Sequence, residues 1–164
     1  MTDDTPILLK AAEIDAMPGQ PKTHFLNPNA QRLQKSLGDI CGLTGLGVHL
    51  IEIQPGSDST EHHMHYYEDE CIYILEGHAT LRIGDTYKAI GPGDFMGHPK
   101  NGAAHSMTNT GTAPLKMLVI GQRLDHDVAD YPDQGKRIFR NAGMPWDLTD
   151  ITNLTTPHTP KAKE

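Results

Sequence analysis

Four polar side chains in the middle of the chain restrict its fold more than any other feature. His63 and His65 are two residues apart, and Glu70 begins the apolar run that follows them. His105 comes forty residues after His65. On a β-strand, residues two apart point to the same face, so His63 and His65 leave one face together. Side chains from separate strands can converge only if the sheet curls around them, so the pattern predicts a curved or closed sheet.

These four residues also have a shared chemistry. Imidazole nitrogens and carboxylate oxygens are ligands that divalent transition metals take in proteins. Three neutral imidazoles and one carboxylate leave open positions on a five- or six-coordinate ion, which water or a substrate oxygen can fill. Ligand type does not distinguish Mn, Fe, Ni, Cu and Zn, so the predicted cofactor is one divalent transition metal. Two alternatives stay open: histidines that are simply solvated, and a metal that only stabilises the fold.

Size and charge narrow the class of protein. The 164 residues and 18.0 kDa predict one domain with its own core. A formal net charge of −7 without a basic block argues against nucleic acid and anionic membranes as partners. The longest apolar runs are strand-sized, far below the roughly 20 residues that span a bilayer. The acidic N-terminus lacks the order of a signal peptide, so a cytoplasmic location is expected.

From residue 46 the chain alternates between short apolar runs and turns. The predicted strands cover residues 46–53, 71–75, 79–83, 87–90, 95–98, 104–109 and 115–122. Turn residues at intervals of about eight to twelve are typical of a β-sandwich or barrel. The sequence shows no internal repeat, so the prediction is a single all-β barrel.

The segments on either side of this barrel predict two arms. Before it, the sequence predicts a helical turn over 10–17, an edge strand over 23–26, and either a helix or a strand over 31–37. After it, an acidic loop is expected over 125–135 and a strand over 136–140, with Trp146 and Leu148 packed on the barrel. The expected division is an N-terminal arm with edge strands (1–44), the barrel (45–123), a C-terminal extension packed on the barrel (124–155) and a disordered tail (156–164).

Two motifs resemble those of the cupin superfamily. The first runs from Gly56 through His63-Met64-His65, four residues, Glu70, six residues and Gly77. The second runs from Gly93 through five residues, Pro99, a spacer to Gly102, two residues, His105, three residues and Asn109. Both spacers, from Gly56 to the first histidine and from Pro99 to Gly102, are one residue longer than usual. Either His63 or, in a shifted register, His62 is then the first histidine; His63 is preferred because it alone forms His-x-His with His65.

The resemblance, which covers residues 45–122, implies a fold and a site. The fold is a double-stranded β-helix, the jelly-roll barrel of cupins, with His63, His65, Glu70 and His105 around one metal. The C-terminal segment is also similar to that of small single-domain cupins, some of which are provisionally assigned as sugar-phosphate isomerases. Cupins often pair through arm and edge strands, so a homodimer is expected.

The side chains around the predicted ligands divide by strand parity. With Glu70 pointing inward, Ile72 and Ile74 also face the interior, Tyr73 faces outward, and Met107 shares the inward face of its strand. An apolar wall beside a metal suits a small substrate. The remaining side chains of the cluster, His62, Glu68 and Asp69, are expected outside the ligand set and facing solvent or an interface.

Together these features predict a metal-dependent enzyme that acts on a small oxygenated metabolite, with the metal as Lewis acid. Isomerisation of a sugar or sugar phosphate is the reaction we expect. Metal-dependent dioxygenation or decarboxylation is the enzymatic alternative, and a non-catalytic binding or sensor module is the alternative from another class. The sequence does not identify catalytic residues. His98 and Tyr66 are candidates; a packed or exposed histidine is the commoner outcome at His98, and packing at the rim is an equal alternative for Tyr66.

Overall fold

The computed structural model describes residues 5–157 and confirms the all-β prediction. The strands are β1 (Gln20–His24), β2 (Asn27–Ser36), β3 (Leu46–Ile53), β4 (Met64–His65), β5 (Glu70–Glu76), β6 (Ala79–Ile83), β7 (Thr86–Ile90), β8 (Phe95–His98), β9 (His105–Thr108), β10 (Leu115–Gln122), β11 (His126–Tyr131), β12 (Lys136–Asn141) and β13 (Asp147–Asp150). Short α-helices α1 (Ala11–Ala16) and α2 (Leu37–Ile40) and 3-10 turns at Pro132–Gln134 and Ile151–Asn153 accompany them. Within this described part, no helix is long and apolar enough to cross a membrane.

Three antiparallel sheets form the β-sandwich of a jelly-roll barrel. The largest has the strand order β1-β2-β3-β10-β5-β8, and the others are β13-β12-β11-β4 and β7-β6-β9. Single bridges join residues outside the named strands to the small sheet, pairing Asp58 with Thr108 and His63 with His105. The second bridge places one predicted ligand beside another, so the closure of the fold and the formation of the site involve the same contact.

The core lies between the sheets and follows the predicted alternation. Ile74 is fully buried and Ile72 nearly so, whereas Tyr73 between them is 43 % exposed. Met107 is buried on the inward face of β9, as predicted. Alternating burial of this kind is what an antiparallel sheet shows when one face packs on a core and the other meets solvent.

Both arms differ from their predictions. The ambiguous segment 31–37 lies almost entirely in strand β2, and the first edge strand lies three residues earlier than expected, at Gln20–His24. The prediction of an acidic loop over 125–135 is wrong. Its first half is strand β11, which pairs with both β4 and β12, because Val128, Ala129 and Tyr131 supply buried apolar surface. Trp146, predicted to pack on the barrel, is 62 % exposed, with its ring facing the Arg140 guanidinium at 5.4 Å. The predicted tail lies outside the described residues from 158 onward.

One glycine of the first motif is required by a close approach of two chain segments. Gly77 has a φ of +84°, and a Cβ built on it would lie 2.5 Å from the Pro114 carbonyl oxygen. Gly56 has nearly the same φ, +81°, but nothing within 4 Å. Both positions therefore have the left-handed backbone conformation, but only at Gly77 would a Cβ clash with a neighbouring segment.

We expect Gly77→Ala to be clearly more destabilising than Gly56→Ala. Both variants carry the left-handed strain of about 1–2 kcal/mol, and only Gly77→Ala adds an overpacking cost of about 1–3 kcal/mol. Urea unfolding of the two variants measures the difference. Equal losses would mean that the β5–β6 turn moves away from Pro114 at no cost.

Candidate metal centre

The strands that surround the barrel interior bring the predicted ligands together. His65 lies on β4, Glu70 begins β5 and His105 begins β9. His63 pairs with His105 through two backbone hydrogen bonds: His63 N–H donates to the His105 carbonyl at 3.1 Å, and His105 N–H donates to the His63 carbonyl at 2.8 Å. The backbone thus fixes the two rings side by side, with centroids 4.7 Å apart.

The side-chain atoms of three of the four predicted ligands are close enough to share an ion, and His65 lies next to them. One ligand atom from each of His63, Glu70 and His105 lies within 4.8 Å of the others. His105 Nε2 is 3.2 Å from Glu70 Oε2, and the His65 ring centroid is 5.0 Å from that of His63. All four residues line one cavity of about 370 Å³.

Hydrogen bonds determine which ring nitrogen of two histidines is available. His63 Nδ1 is 2.9 Å from the Glu61 carbonyl, and His65 Nδ1 is 2.7 Å from Asp127 Oδ2. Both partners only accept, so each Nδ1 carries the hydrogen and each Nε2 keeps its lone pair. An imidazole held through one nitrogen by a carbonyl or carboxylate is the usual arrangement of a metal-binding histidine.

The electrostatics of the cluster favour the protonation states that bind metals. Burial, with the charges of His105 and His65, lowers the pKa of His63 to about 3. Burial alone would raise the pKa of Glu70, but a hydrogen bond from His105 and the nearby histidines outweigh it and lower that pKa to about 2. A buried neutral imidazole beside a partly buried ionised carboxylate is a donor set that fits a divalent transition metal.

Asp127, which the sequence did not single out, positions His65. It is fully buried, and its Oδ2 accepts from His65 Nδ1 and, at 2.6 Å, from Arg140 Nη2. Its Oδ1 accepts from the Tyr67 N–H at 3.2 Å. Burial raises the pKa of Asp127, but the hydrogen bonds from His65 and Arg140 lower it to about 2. The strand alternation of 126–131, with a buried residue at each second position from Asp127, was the available sequence signal.

Glu68 belongs to the same network, and the prediction that it faces solvent is wrong. It is 6 % exposed and forms an ion pair with Arg140, while its Oε1 accepts from the Leu124 N–H at 2.9 Å. Although His65, Glu68 and Asp127 lie close enough together to hold an ion, the Arg140 guanidinium already forms ion pairs with both carboxylates. These ion pairs with the arginine offset the free-energy cost of burying the two carboxylates beside β11.

The other members of the histidine-rich stretch lie apart from the cavity. His62 is 5 % exposed rather than at the surface as expected, because it packs toward Ser106, whose Oγ is 3.2 Å from its Nδ1. It lines a separate cavity of about 230 Å³ with Arg82 and Asp133. Asp69 is exposed, as expected.

Neither candidate catalytic residue lines the cavity of the four predicted ligands. His98 stacks on the His105 ring with centroids 3.4 Å apart, and burial together with His105 lowers its pKa to about 4. The Tyr66 hydroxyl donates to Asp130 Oδ2 and accepts from Arg137 Nη2, both at 2.9 Å. His98 therefore packs against the ring of the predicted ligand His105. Tyr66 hydrogen-bonds to both members of the ion pair between Asp130 and Arg137.

We expect Tyr66→Phe to lower stability by about 2 kcal/mol, because the hydroxyl takes part in two hydrogen bonds worth about 1 kcal/mol each, and to leave bound metal unchanged. Denaturant unfolding and elemental analysis of the same preparation provide the two measurements. Loss of metal from this variant would contradict the position of Tyr66 outside the cavity.

Sequence reasoning missed several residues of the cavity because they come from the arms. His24 ends β1 and Phe25 follows it, and Tyr131 ends β11. Lys22 and Arg32 face each other across β1 and β2. Burial, followed by the charge of Arg32, lowers the pKa of His24 to about 4. Burial raises the pKa of Tyr131 to about 12.

Comparison with known proteins agrees with this architecture. A family model described as the cupin domain matches residues 49–121. The chain is 52 % identical to a protein from Acidithiobacillus ferrooxidans, provisionally named a sugar phosphate isomerase, whose crystal structure superposes with a TM-score of 0.89 over 93 % of this chain and 97 % of that one. A cupin-superfamily protein from Silicibacter pomeroyi, named a sugar phosphate isomerase, is 28 % identical, with a TM-score of 0.74 over 87 % of this chain and 90 % of that one. Among curated protein sequences, none matches. The identity and coverage of the first of these relatives, together with the matching family model, establish that the chain belongs to the cupin superfamily.

Proposed function

We propose that the chain is a metal-dependent isomerase of a sugar or sugar phosphate. The observation that carries the proposal is the set of His63, His65, Glu70 and His105 on the wall of one cavity of about 370 Å³. That volume is within the range of about 300–1,000 Å³ typical of small-molecule sites. The two relatives named as sugar phosphate isomerases support the same reaction class.

The four residues would hold the metal, which when bound supplies Lewis acidity toward a substrate carbonyl or hydroxyl oxygen. Apolar side chains that line the same cavity include Ile72, Met107, Met117 and Val119. These side chains exclude water from the reacting carbons, which strengthens every electrostatic interaction at the site.

Two further side chains that line the cavity, His24 and Tyr131, are hydrogen-bond donors suited to a bound sugar. His24 Nδ1 accepts from the Leu26 N–H at 3.2 Å, so its hydrogen is on Nε2. With a pKa of about 4 the ring is neutral at neutral pH and donates to an oxygen without carrying charge. The Tyr131 hydroxyl, with its pKa raised to about 12, stays protonated and donates in the same way. We propose that these two groups orient the carbonyl and hydroxyl oxygens of the substrate.

The test combines metal analysis with a search for isomerised product. We expect elemental analysis of the purified protein to give one divalent transition metal per chain. Aldoses, ketoses and their phosphate esters are then incubated with the protein, and proton NMR follows conversion to an isomer of unchanged composition. Consumption of dioxygen or release of carbon dioxide would contradict isomerisation in favour of oxidation or decarboxylation. Tight binding without any product would favour a binding module.

We also propose that the protein forms a homodimer. Tyr73 and Phe95 are cross-strand partners on β5 and the edge strand β8, and they are 43 % and 65 % exposed. Two large apolar side chains next to an open sheet edge form a surface suited to a second copy. Analytical ultracentrifugation is expected to give twice the chain mass of 18.0 kDa. Phe95→Lys is expected to shift the protein toward monomer.

A further inference from the structure

Two cations face each other at the entrance to the cavity. Lys22 on β1 and Arg32 on β2 are direct partners in the antiparallel register, so their side chains leave the same face of the hairpin. Like charges directly opposite each other on a sheet are destabilising. Both residues line the cavity of the predicted metal ligands and also the adjoining cavity of about 600 Å³. The hairpin therefore maintains an unfavourable pair of charges where the two cavities meet.

The neighbouring cations have acidic partners, whereas these two do not. Arg123 pairs with Asp39 at 2.5 Å, and Arg140 pairs with Asp127 at 2.6 Å. Among residues 5–157, neither Lys22 nor Arg32 has a carboxylate oxygen within ion-pair distance. The missing counter-ion distinguishes this pair from the other cations of the two cavities.

Arg32 also has donors to spare. Its Nη1 donates to the Ser59 carbonyl at 3.1 Å, and its buried Nε has no hydrogen-bond partner. A guanidinium presents its five N–H donors in a planar fork that matches carboxylate and phosphate oxygens, and a buried donor without a partner is costly. Because Nε is closed off from solvent, the remaining Nη hydrogens are the donors available to a ligand with several acceptor oxygens.

The position of the pair indicates which part of a ligand it binds. Lys22 is exposed, and Arg32 is half-buried. Burial lowers the pKa of Arg32, and the nearby Glu70 carboxylate acts in the opposite direction. An anionic group held between Lys22 and Arg32 would leave the rest of the molecule extending toward the four predicted ligands. A phosphate monoester fits this pair, because it offers three oxygens and up to two negative charges.

We propose that Lys22 and Arg32 form the subsite for the phosphoryl group of a phosphorylated substrate. The inference rests on the proposed isomerase function and deepens it, because it selects sugar phosphates over free sugars. Binding of the phosphoryl group also removes the repulsion across the hairpin, so the ligand stabilises β1 against β2.

The first test uses inorganic phosphate as the probe and does not depend on turnover. Isothermal titration calorimetry is expected to show phosphate binding to the wild-type protein that weakens roughly tenfold in Lys22→Gln and in Arg32→Lys, from loss of one charge-assisted contact. Lys22 is exposed, so its variant should fold, and Arg32→Lys keeps the charge but removes the fork. Lys88→Gln, an exposed lysine on β7, is the control for charge removal and should bind phosphate as the wild type does.

Repeating the titration after chelation separates the subsite from the metal. Binding that survives chelation and is weakened roughly tenfold in Lys22→Gln supports the subsite. Binding that is lost on chelation and unaffected by Lys22→Gln would place the phosphate on the metal and overturn it. Absence of phosphate binding to the wild-type protein would also overturn it.

The second test compares an aldohexose with its 6-phosphate ester. We expect Lys22→Gln and Arg32→Lys to lower the ratio of kcat/KM for the ester to kcat/KM for the free sugar roughly tenfold. Equal losses for both would contradict a phosphoryl subsite while leaving isomerisation intact. If no sugar is isomerised but the calorimetric pattern holds, the proposed function fails and the anion subsite stands.

Discussion

Replacing His105 with alanine is expected to remove the bound metal and abolish turnover. His105 is 3 % exposed, its Nε2 lies 3.2 Å from Glu70, and its backbone pairs with His63. Alanine keeps the backbone pairing and deletes only the imidazole. The variant therefore loses one predicted metal ligand and keeps the strand pairing around it. Removal of a supporting partner of a ligand typically costs about 10–100-fold in metal affinity, and loss of the ligand itself should cost more. Elemental analysis after dialysis, followed by competition with a chelator, measures the change.

His62→Ala is the matched control, and it also decides the register of the first motif. His62 precedes His63 directly, is buried, and lies outside the cavity that holds the other histidines. We expect His62→Ala to keep its metal and His63→Ala to lose it. The reverse result would make His62 the first ligand. Turnover that survives in His105→Ala without metal would contradict the metal-dependent mechanism.

The parts of the site that the sequence predicted share one property. His63, His65, Glu70 and His105 belong to motifs whose spacing is local, and each lies in or next to a strand with a recognisable apolar pattern. Strand parity then assigns the inward faces, as the burial of Ile72 and Ile74 confirms. Local patterns of this kind need no knowledge of which distant segments pair.

The residues that the sequence did not place depend on distant pairing. Asp127 reaches His65 only because β11 pairs with β4, two segments about sixty residues apart. Acidic residues spread over 125–133 hid the strand alternation there, since charge in a segment usually indicates solvent exposure. Lys22 and Arg32 meet within the β1–β2 hairpin, which lies at the cavity because β2 pairs with β3. The arms therefore contribute the carboxylate that contacts His65 and the two cations of the proposed phosphoryl subsite.

Replacing Asp127 with asparagine is expected to weaken both the fold and the metal site. The carboxylate accepts from His65 and Arg140 in a fully buried position, and an amide of the same shape cannot carry the charge that balances Arg140. Breaking a buried ion pair typically costs about 3–5 kcal/mol, and the remaining pair between Arg140 and Glu68 places the expected loss at the low end of that range. His65 also loses the acceptor that holds its Nδ1 hydrogen, which should lower metal affinity by about 10–100-fold.

Asp130→Asn is the control that separates these two effects. Asp130 lies three residues further along β11, is partly buried and pairs with Arg137, but it does not touch His65. Its replacement should lower the free energy of unfolding while leaving metal affinity unchanged. Urea unfolding of the metal-free proteins and chelator competition on the loaded ones measure the two quantities separately. If Asp127→Asn binds metal as tightly as the wild type after its loss of stability is taken into account, the carboxylate serves the fold alone. A selective loss of metal affinity in Asp127→Asn would instead make β11, outside both sequence motifs, part of the metal centre.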